Sequence, residues 1–285
     1  MIWKKHSILT PPTDEEIVLL DEETLIEIHS IYHEAIDNAE RDPYRFGFRL
    51  PHWDKAEEQL TDVTEIVALG GNRSGKTQWG AFTVVRAALE NPGSEIFCFS
   101  QTAEVSIRQQ QSAVWDWLPA EMRMKQTTSG TYISYTKKNG FTDQSLILPN
   151  GSQIIFKTYS QYQNNPTILE GAELGSRNPK WHNVGVWLDE YLLGPEMINT
   201  LRFRIATRDA KLLLTFTPID GYTEVIKEYL EGATTLQTRP AELLNGELVP
   251  YIQRSKKLNA SVHYFHSQDN PFGGYDRIKD TLKGR

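Results

Sequence analysis

The eight residues Gly70-Gly71-Asn72-Arg73-Ser74-Gly75-Lys76-Thr77 constrain the fold more than any other stretch of the chain. They fit G-x-x-x-x-G-K-[ST] and stand in the context that pattern needs. An apolar run from Glu65 to Leu69 precedes them, and a helical stretch from Lys76 to Leu89 follows. The glycines let backbone N–H groups turn inward around phosphate oxygens, and the following helix adds its positive N-terminal end. In this pattern Lys76 reaches the β- and γ-phosphates, and the Thr77 hydroxyl ligates Mg²⁺. All eight residues are candidates for binding a nucleotide.

A phosphate loop needs a metal-holding acid at the end of a neighbouring strand. The run Val184-Gly-Val-Trp-Leu-Asp189-Glu190 supplies it, apolar until two adjacent carboxylates. Like charges side by side repel, so the pair is costly in a purely structural role. Asp189 is the candidate metal ligand. Glu190 is the candidate base that orients and deprotonates an attacking water. The strings D-x-x-G and N-K-x-D, which a GTPase would show, do not occur. The nucleotide expected is therefore ATP, with Mg²⁺.

Around these motifs strands alternate with helices, which implies a parallel sheet covered on both faces. Strands are expected at Glu95–Ser100, Val184–Leu188 and Ala210–Phe216, and helices over 102–118 and Tyr222–Leu230. A β-rich insert is read at Tyr132–Tyr135, Ser145–Leu148 and Gln153–Thr158. Asn150-Gly151 would be its hairpin turn, both positions at positive φ. Residues 13–40 read as an acidic amphipathic helix pair opened by a Thr13/Glu16 capping box, and residues 44–55 as a loop entering the core. Residues 232–285 read as a short tail with one strand at Ser261–His266.

Charge divides along the same lines. Residues 1–65 carry 16 acidic and 6 basic side chains, the remainder 21 and 24. The mildly basic remainder is compatible with a nucleic-acid partner, but not with coating DNA by bulk charge. Cys98 is the single cysteine, which excludes an intramolecular disulfide and a multi-cysteine zinc site. No uncharged apolar run approaches the ~18 residues of a membrane span, and no apolar stretch follows Lys4-Lys5 as in a secretory signal.

Four motifs in order resemble the ATPase domain of bacteriophage terminase large subunits, the DNA-packaging motors. They are the phosphate loop with Arg73 two residues before Gly75, the strand ending in Asp189-Glu190, the run Thr215-Phe-Thr217-Pro-Ile-Asp220-Gly221, and Asp269-Asn270-Pro271. The third resembles the family's T-x-T-P coupling motif. The insert Leu148–Phe156 also resembles the family, and the likeness covers about residues 45–275.

The resemblance implies an α/β fold, a P-loop NTPase of the ASCE type. It would have a mostly parallel central sheet flanked by helices, a β-hairpin insert and a small C-terminal lid or linker subdomain. The expected divisions are an acidic helical segment at 1–60 packed on the core, an ATPase core at 61–232 and the lid or linker at 233–285. A nuclease domain is expected to be absent, and nuclease activity with it.

It further implies an ATPase that drives double-stranded DNA into a procapsid. The chain would be monomeric when dilute and a ring of five when assembled on the portal protein, with a small terminase subunit as a further partner. The place would be the host cytoplasm, transiently at the procapsid portal, and no membrane is involved. A helicase-like or other nucleic-acid-dependent ASCE ATPase is the alternative.

Thr215 and Thr217 would sense the γ-phosphate, Thr217 as a nucleotide-binding residue. Arg73 and one of Arg202, Arg204 and Arg208 would stabilise the transition state in cis or in trans, with Arg177 a weaker candidate. Relatives carry an adenine-reading glutamine upstream of the phosphate loop; Gln59 is present here, but Lys55-Ala56 stands nearer the expected place. His263 and His266 would face opposite sides of a strand, so a shared metal is not expected.

Overall fold

The computed structural model describes residues 12–123, 133–190, 194–218, 223–244, 247–275 and 279. The strands of the main sheet are numbered here in chain order. They are β1 Glu65–Gly70, β2 Glu95–Ser100, β3 Ser145–Ile147, β4 Gln153–Thr158, β5 Val184–Asp189, β6 Lys211–Phe216, β7 Thr234–Leu244, β8 Glu247–Arg254 and β9 Ala260–Phe265. They lie in the order β3-β4-β2-β5-β6-β1-β9-β8-β7. The six strands from β4 to β9 in that order run parallel, and β3, β8 and β7 run against their neighbours. One strand, β6, separates the strand of the phosphate loop from the strand of the paired acids. That spacing is the ASCE arrangement the motifs imply.

Side chains alternate across the sheet, as a strand's period of two requires. Ile66, Ala68, Ile96 and Cys98 join one core with Trp53, Trp79, Phe82 and Trp117. Val67, Leu69, Phe97 and Phe99 join the other with Met197, Leu201 and Tyr229. Both faces are thus covered, and the buried strands read as continuous apolar runs. The helix Lys76–Glu90 buries nearly its whole length in the first core.

Several expectations change. Residues 44–55 hold two helices, Pro43–Phe46 and Pro51–Gln59, where a loop was read. Proline opens each of them, a position whose N–H has no helical partner in any case. The helix read over 102–118 contains a π-type stretch at Ser106–Gln111. Its buried glutamines bond to neighbouring elements: Gln110 Nε2 donates to Phe99 O (3.1 Å) and Gln111 Oε1 accepts from Phe141 N (2.9 Å).

The hairpin read as an insert is the edge of the main sheet, β4 lying parallel to β2. Its turn is Pro149-Asn150-Gly151, closed by Leu148 N donating to Ser152 O (2.8 Å), and only Gly151 has positive φ (+80°). Asn150 serves another purpose. Its Nδ2 donates to Ala88 O and Leu89 O (2.8 and 3.0 Å), carbonyls at the C-terminal end of the Lys76–Glu90 helix. The first strand of the insert begins at Tyr135, pairing Tyr135–Thr136 with Gly140–Phe141, and Tyr132 lies outside the described residues.

The acidic segment forms the helices Asp14–Val18 and Glu22–Arg41, with the Thr13/Glu16 capping box made. Leu25, Ile28, Tyr32 and Ile36 are half-buried along one stripe, while Ile26 and Ile31 stay exposed. The described part of residues 233–285 joins the main sheet. It contributes β7, β8 and β9, and β9 pairs with β1 along its whole length, from Glu65 with Ala260 to Gly70 with Phe265.

His52, in the helix Pro51–Gln59, and His263, in β9, are buried and neutral. Burial pushes His52 down to about 4 and His263 to about 3, from 6.5. The unfolded chain therefore binds protons more readily than the native one below pH 6.5, so stability falls as pH falls through that range. Each ring is expected to remove on the order of 2 kcal/mol by pH 5. Urea midpoints at pH 7.5 and 5.0 measure this loss, and His263→Leu should reduce the difference.

Candidate active site

The phosphate loop leaves β1 at Gly70 and enters its helix at Gly75. Gly75 has φ +91°, and a side chain there would also meet Leu50 at 2.9 Å. Gly70 lies against β9 so closely that a Cβ would come within 2.2 Å of Phe265 O. Arg73 takes φ +62° without being glycine, held by long-range contacts described below.

Lys76 is buried, its Nζ donating to Gly71 O (3.1 Å) and 3.6 Å from Glu190 Oε1. Burial lowers its pKa, against the pull of Glu190 and Asp189. A cation in this position, at a helix N-terminus, is set to receive an anion.

Asp189 and Glu190 occupy opposite environments. Asp189 is fully buried and accepts from Thr215 Oγ1 (2.6 Å) and Thr77 Oγ1 (3.3 Å). Burial raises it to about 7, partly offset by the Thr215 hydrogen bond. A hydroxyl and a carboxylate this close are hard oxygen donors of the kind Mg²⁺ takes together with substrate phosphates. Glu190 turns away, at φ +59°, into the cleft. Its carboxylate accepts from Thr217 Oγ1 (2.7 Å) and Thr217 N (2.9 Å), while its own N–H donates to Thr215 O (2.7 Å).

The coupling motif thus divides its work. Thr215 is wholly buried, accepts from Trp187 Nε1 (2.9 Å) and donates to Asp189, so its hydroxyl is engaged inside the sheet and does not line the cleft. Thr217 holds the Glu190 carboxylate. Asp220 and Gly221, the end of that motif, lie outside the described residues.

The segment after β9 clamps the phosphate loop. Ser267 Oγ donates to Asn72 O (2.8 Å), Asn270 Nδ2 to Arg73 O (2.7 Å), and Arg73 Nη1 to Gly273 O (3.5 Å). Asp269 pairs with Arg239 of β7 (2.7 Å). The cleft these parts enclose has a volume of about 390 Å³. Gln109, from the π-type stretch, and Phe272 also line it, and neither stands out in the sequence. A π-type turn near a site is a recurrent functional feature, but its pattern is not visible in one sequence.

The other arginines are not brought here. Arg202 donates to Glu65 Oε1 and Oε2 (2.8 and 3.1 Å) and to Tyr229 Oη (3.2 Å). Glu65 begins β1, at the end opposite the phosphate loop. Arg208 bonds to Gly175 O and Glu173 (2.6 and 2.7 Å), and Arg177 also pairs with Glu173 (3.0 Å). Arg204 lies on the helix of Arg202, Pro195–Ala206, its guanidinium near the Phe203 ring. Arg202 therefore serves as partner to a buried acid. Arg202→Ala should cost about 3 kcal/mol or more in unfolding free energy, because Glu65 is left buried without its cationic partner, with Tyr229 Oη still donating to it. Chemical denaturation of the variant tests this.

Neither Gln59 nor Lys55 lines the cleft; Lys55 lies over the Tyr251 ring, 4.6 Å from its centroid. His263 bonds to Ser261 Oγ (3.0 Å).

The family described as terminase large subunit, T4likevirus-type, N-terminal, matches residues 67–285. No curated protein sequence matches the chain. Among solved structures, the large terminase of a thermophilic bacteriophage in complex with ADP is similar in fold. The identity is 17%, with 82% of this chain and 49% of that chain covered, at a TM-score of 0.53. This chain thus spans about half of that terminase. The large terminase ATPase domain of Thermus phage P74-26 aligns at 17% identity over 79% of this chain and 86% of that one, with a TM-score of 0.48.

Proposed function

Since this chain belongs to the terminase large-subunit family, matched by the family's N-terminal part, we propose that it is an ATPase motor of viral DNA packaging. It would couple hydrolysis to movement of double-stranded DNA into a procapsid. The observation that carries the reading is the pair of adjacent acids in two environments. Asp189 is buried against Thr77, and Glu190 is open to the cleft 3.6 Å from Lys76.

The chain's own groups do the following. The N–H groups of the phosphate loop and the Lys76 ammonium bind the triphosphate. Thr77 and Asp189 would hold Mg²⁺, which when bound neutralises phosphate charge. Glu190, oriented by both donors of Thr217, takes a proton from the attacking water. Arg73 is the one arginine lining the cleft among the described residues, which makes it the candidate in this chain for stabilising the transferred phosphoryl group. A second positive charge would come from a neighbouring subunit. Arg204 is the candidate among the arginines after the paired acids, because Arg202 and Arg208 are held in ion pairs.

Movement on DNA reads backbone charge and not base sequence. The partners proposed are double-stranded DNA, a portal protein, a small terminase subunit and further copies of this chain in a ring of five. The place proposed is the host cytoplasm and the procapsid portal. No helix among the described residues is long and apolar enough to cross a membrane. ATP turnover with and without double-stranded DNA, followed over a hundredfold range of protein concentration, tests the reading. Stimulation by duplex DNA and a specific activity that climbs with concentration are expected. A protein that fails to turn over ATP under any of these conditions would overturn it.

A further inference from the structure

No residue named so far meets the base of the nucleotide, and Gln59 and Lys55 do not line the cleft. We infer that Phe272, on the segment after β9, is the platform on which that base stacks. The inference rests on the ATPase reading and adds to it the residue that recognises the nucleoside.

Topology places the two ends of the nucleotide. Asp189 and Glu190 follow β5, and Thr217 follows β6, both on one side of the phosphate-loop strand β1. The segment with Phe272 follows β9, the neighbour of β1 on the other side. A triphosphate whose γ end lies at Glu190 and which crosses the phosphate loop away from β5 and β6 delivers its nucleoside toward β9. Phe272 is the single aromatic residue among those described as lining the cleft, and every other lining side chain is polar or absent. An aromatic base desolvated there has one apolar face available to it.

The ring is also held where stacking needs it. Phe272 N donates to Asn270 Oδ1 (3.0 Å), and Asn270 Nδ2 donates to Arg73 O (2.7 Å), so two hydrogen bonds in series tie it to the phosphate loop. Phe48 packs edge-on against it, with centroids 5.3 Å apart at 88°. Both rings rest on the core that contains Trp53 and Phe82. A platform fixed in advance loses little conformational freedom on binding.

The test compares ATP with inorganic tripolyphosphate, which has the phosphates and lacks the base. Phe272→Ala should weaken ATP and ADP roughly tenfold to a hundredfold, the range that aromatic–base stacking carries. Its affinity for tripolyphosphate should stay within about twofold of the parent. Phe272→Trp should keep nucleotide affinity, and Phe272→Leu, which retains an apolar side chain against Phe48 without a π-face, should lose it as alanine does.

Unchanged ATP affinity in Phe272→Ala overturns the inference. So does an equal loss for ATP and tripolyphosphate, which would make the residue a support of the loop and nothing more. So does a leucine variant as good as the parent. Each of these results leaves the ATPase reading intact, because that reading fails on the behaviour of Glu190 and Lys76.

Discussion

Glu190→Gln is expected to bind ATP with about the affinity of the parent and to hydrolyse it roughly 10²- to 10⁴-fold more slowly, the contribution of a positioned general base. The amide keeps the size of the side chain and can still accept from Thr217 N or Thr217 Oγ1, which hold the carboxylate at 2.9 and 2.7 Å. What disappears is the proton acceptor. Single-turnover phosphate release, with binding measured separately by a fluorescent nucleotide, resolves the two effects. Hydrolysis at the parental rate would remove Glu190 from the mechanism.

Lys76→Ala is expected to lose nucleotide binding itself. Removing one partner of a desolvated charge contact costs about 2–5 kcal/mol, and about 3 kcal/mol is already more than a hundredfold in Kd. The effect is compounded here because Glu190, 3.6 Å from the Nζ, and the nearby Asp189 are left with less positive charge to face an incoming triphosphate. Calorimetric titration with ADP and Mg²⁺, and the rise in Tm that ADP produces in the parent, should both show the loss. A variant that binds ADP normally would mean that the loop's N–H groups suffice alone.

What could be read from the sequence follows from how locally each feature is encoded. The phosphate loop, its helix and β1 lie within 26 consecutive residues and carry their own glycines, periodicity and lysine-threonine pair. The Asp189-Glu190 strand is equally self-contained. Residues 44–55 read as a loop because proline signals both a turn and the first position of a helix, and in the fold Pro43 and Pro51 take the second role.

The strands β7 and β8 were missed for a different reason. They contain Pro240 and Pro250 and many polar residues, so neither shows the apolar alternation that marks β9. The arginines show the limit most directly. Their number after the paired acids suggested chemistry, but Arg202 is claimed by Glu65, 137 residues away in the chain, and no local pattern records that pairing. In the same way Asn270 was visible only as part of a family motif. Its contact with Arg73 O gives that motif a physical task.

That contact has a consequence for the timing of biosynthesis. The amide that braces the phosphate loop is 197 residues downstream of the carbonyl it holds. At ~5–20 residues per second, a ribosome delivers it roughly 10 to 40 s after Arg73. Throughout that interval the nascent chain lacks β9, so one edge of β1 carries unpaired N–H and C=O groups, open to pairing with another chain. Closure of the nucleotide site is therefore a late event in synthesis, and the edge of β1 that pairs with β9 stays open until that strand arrives.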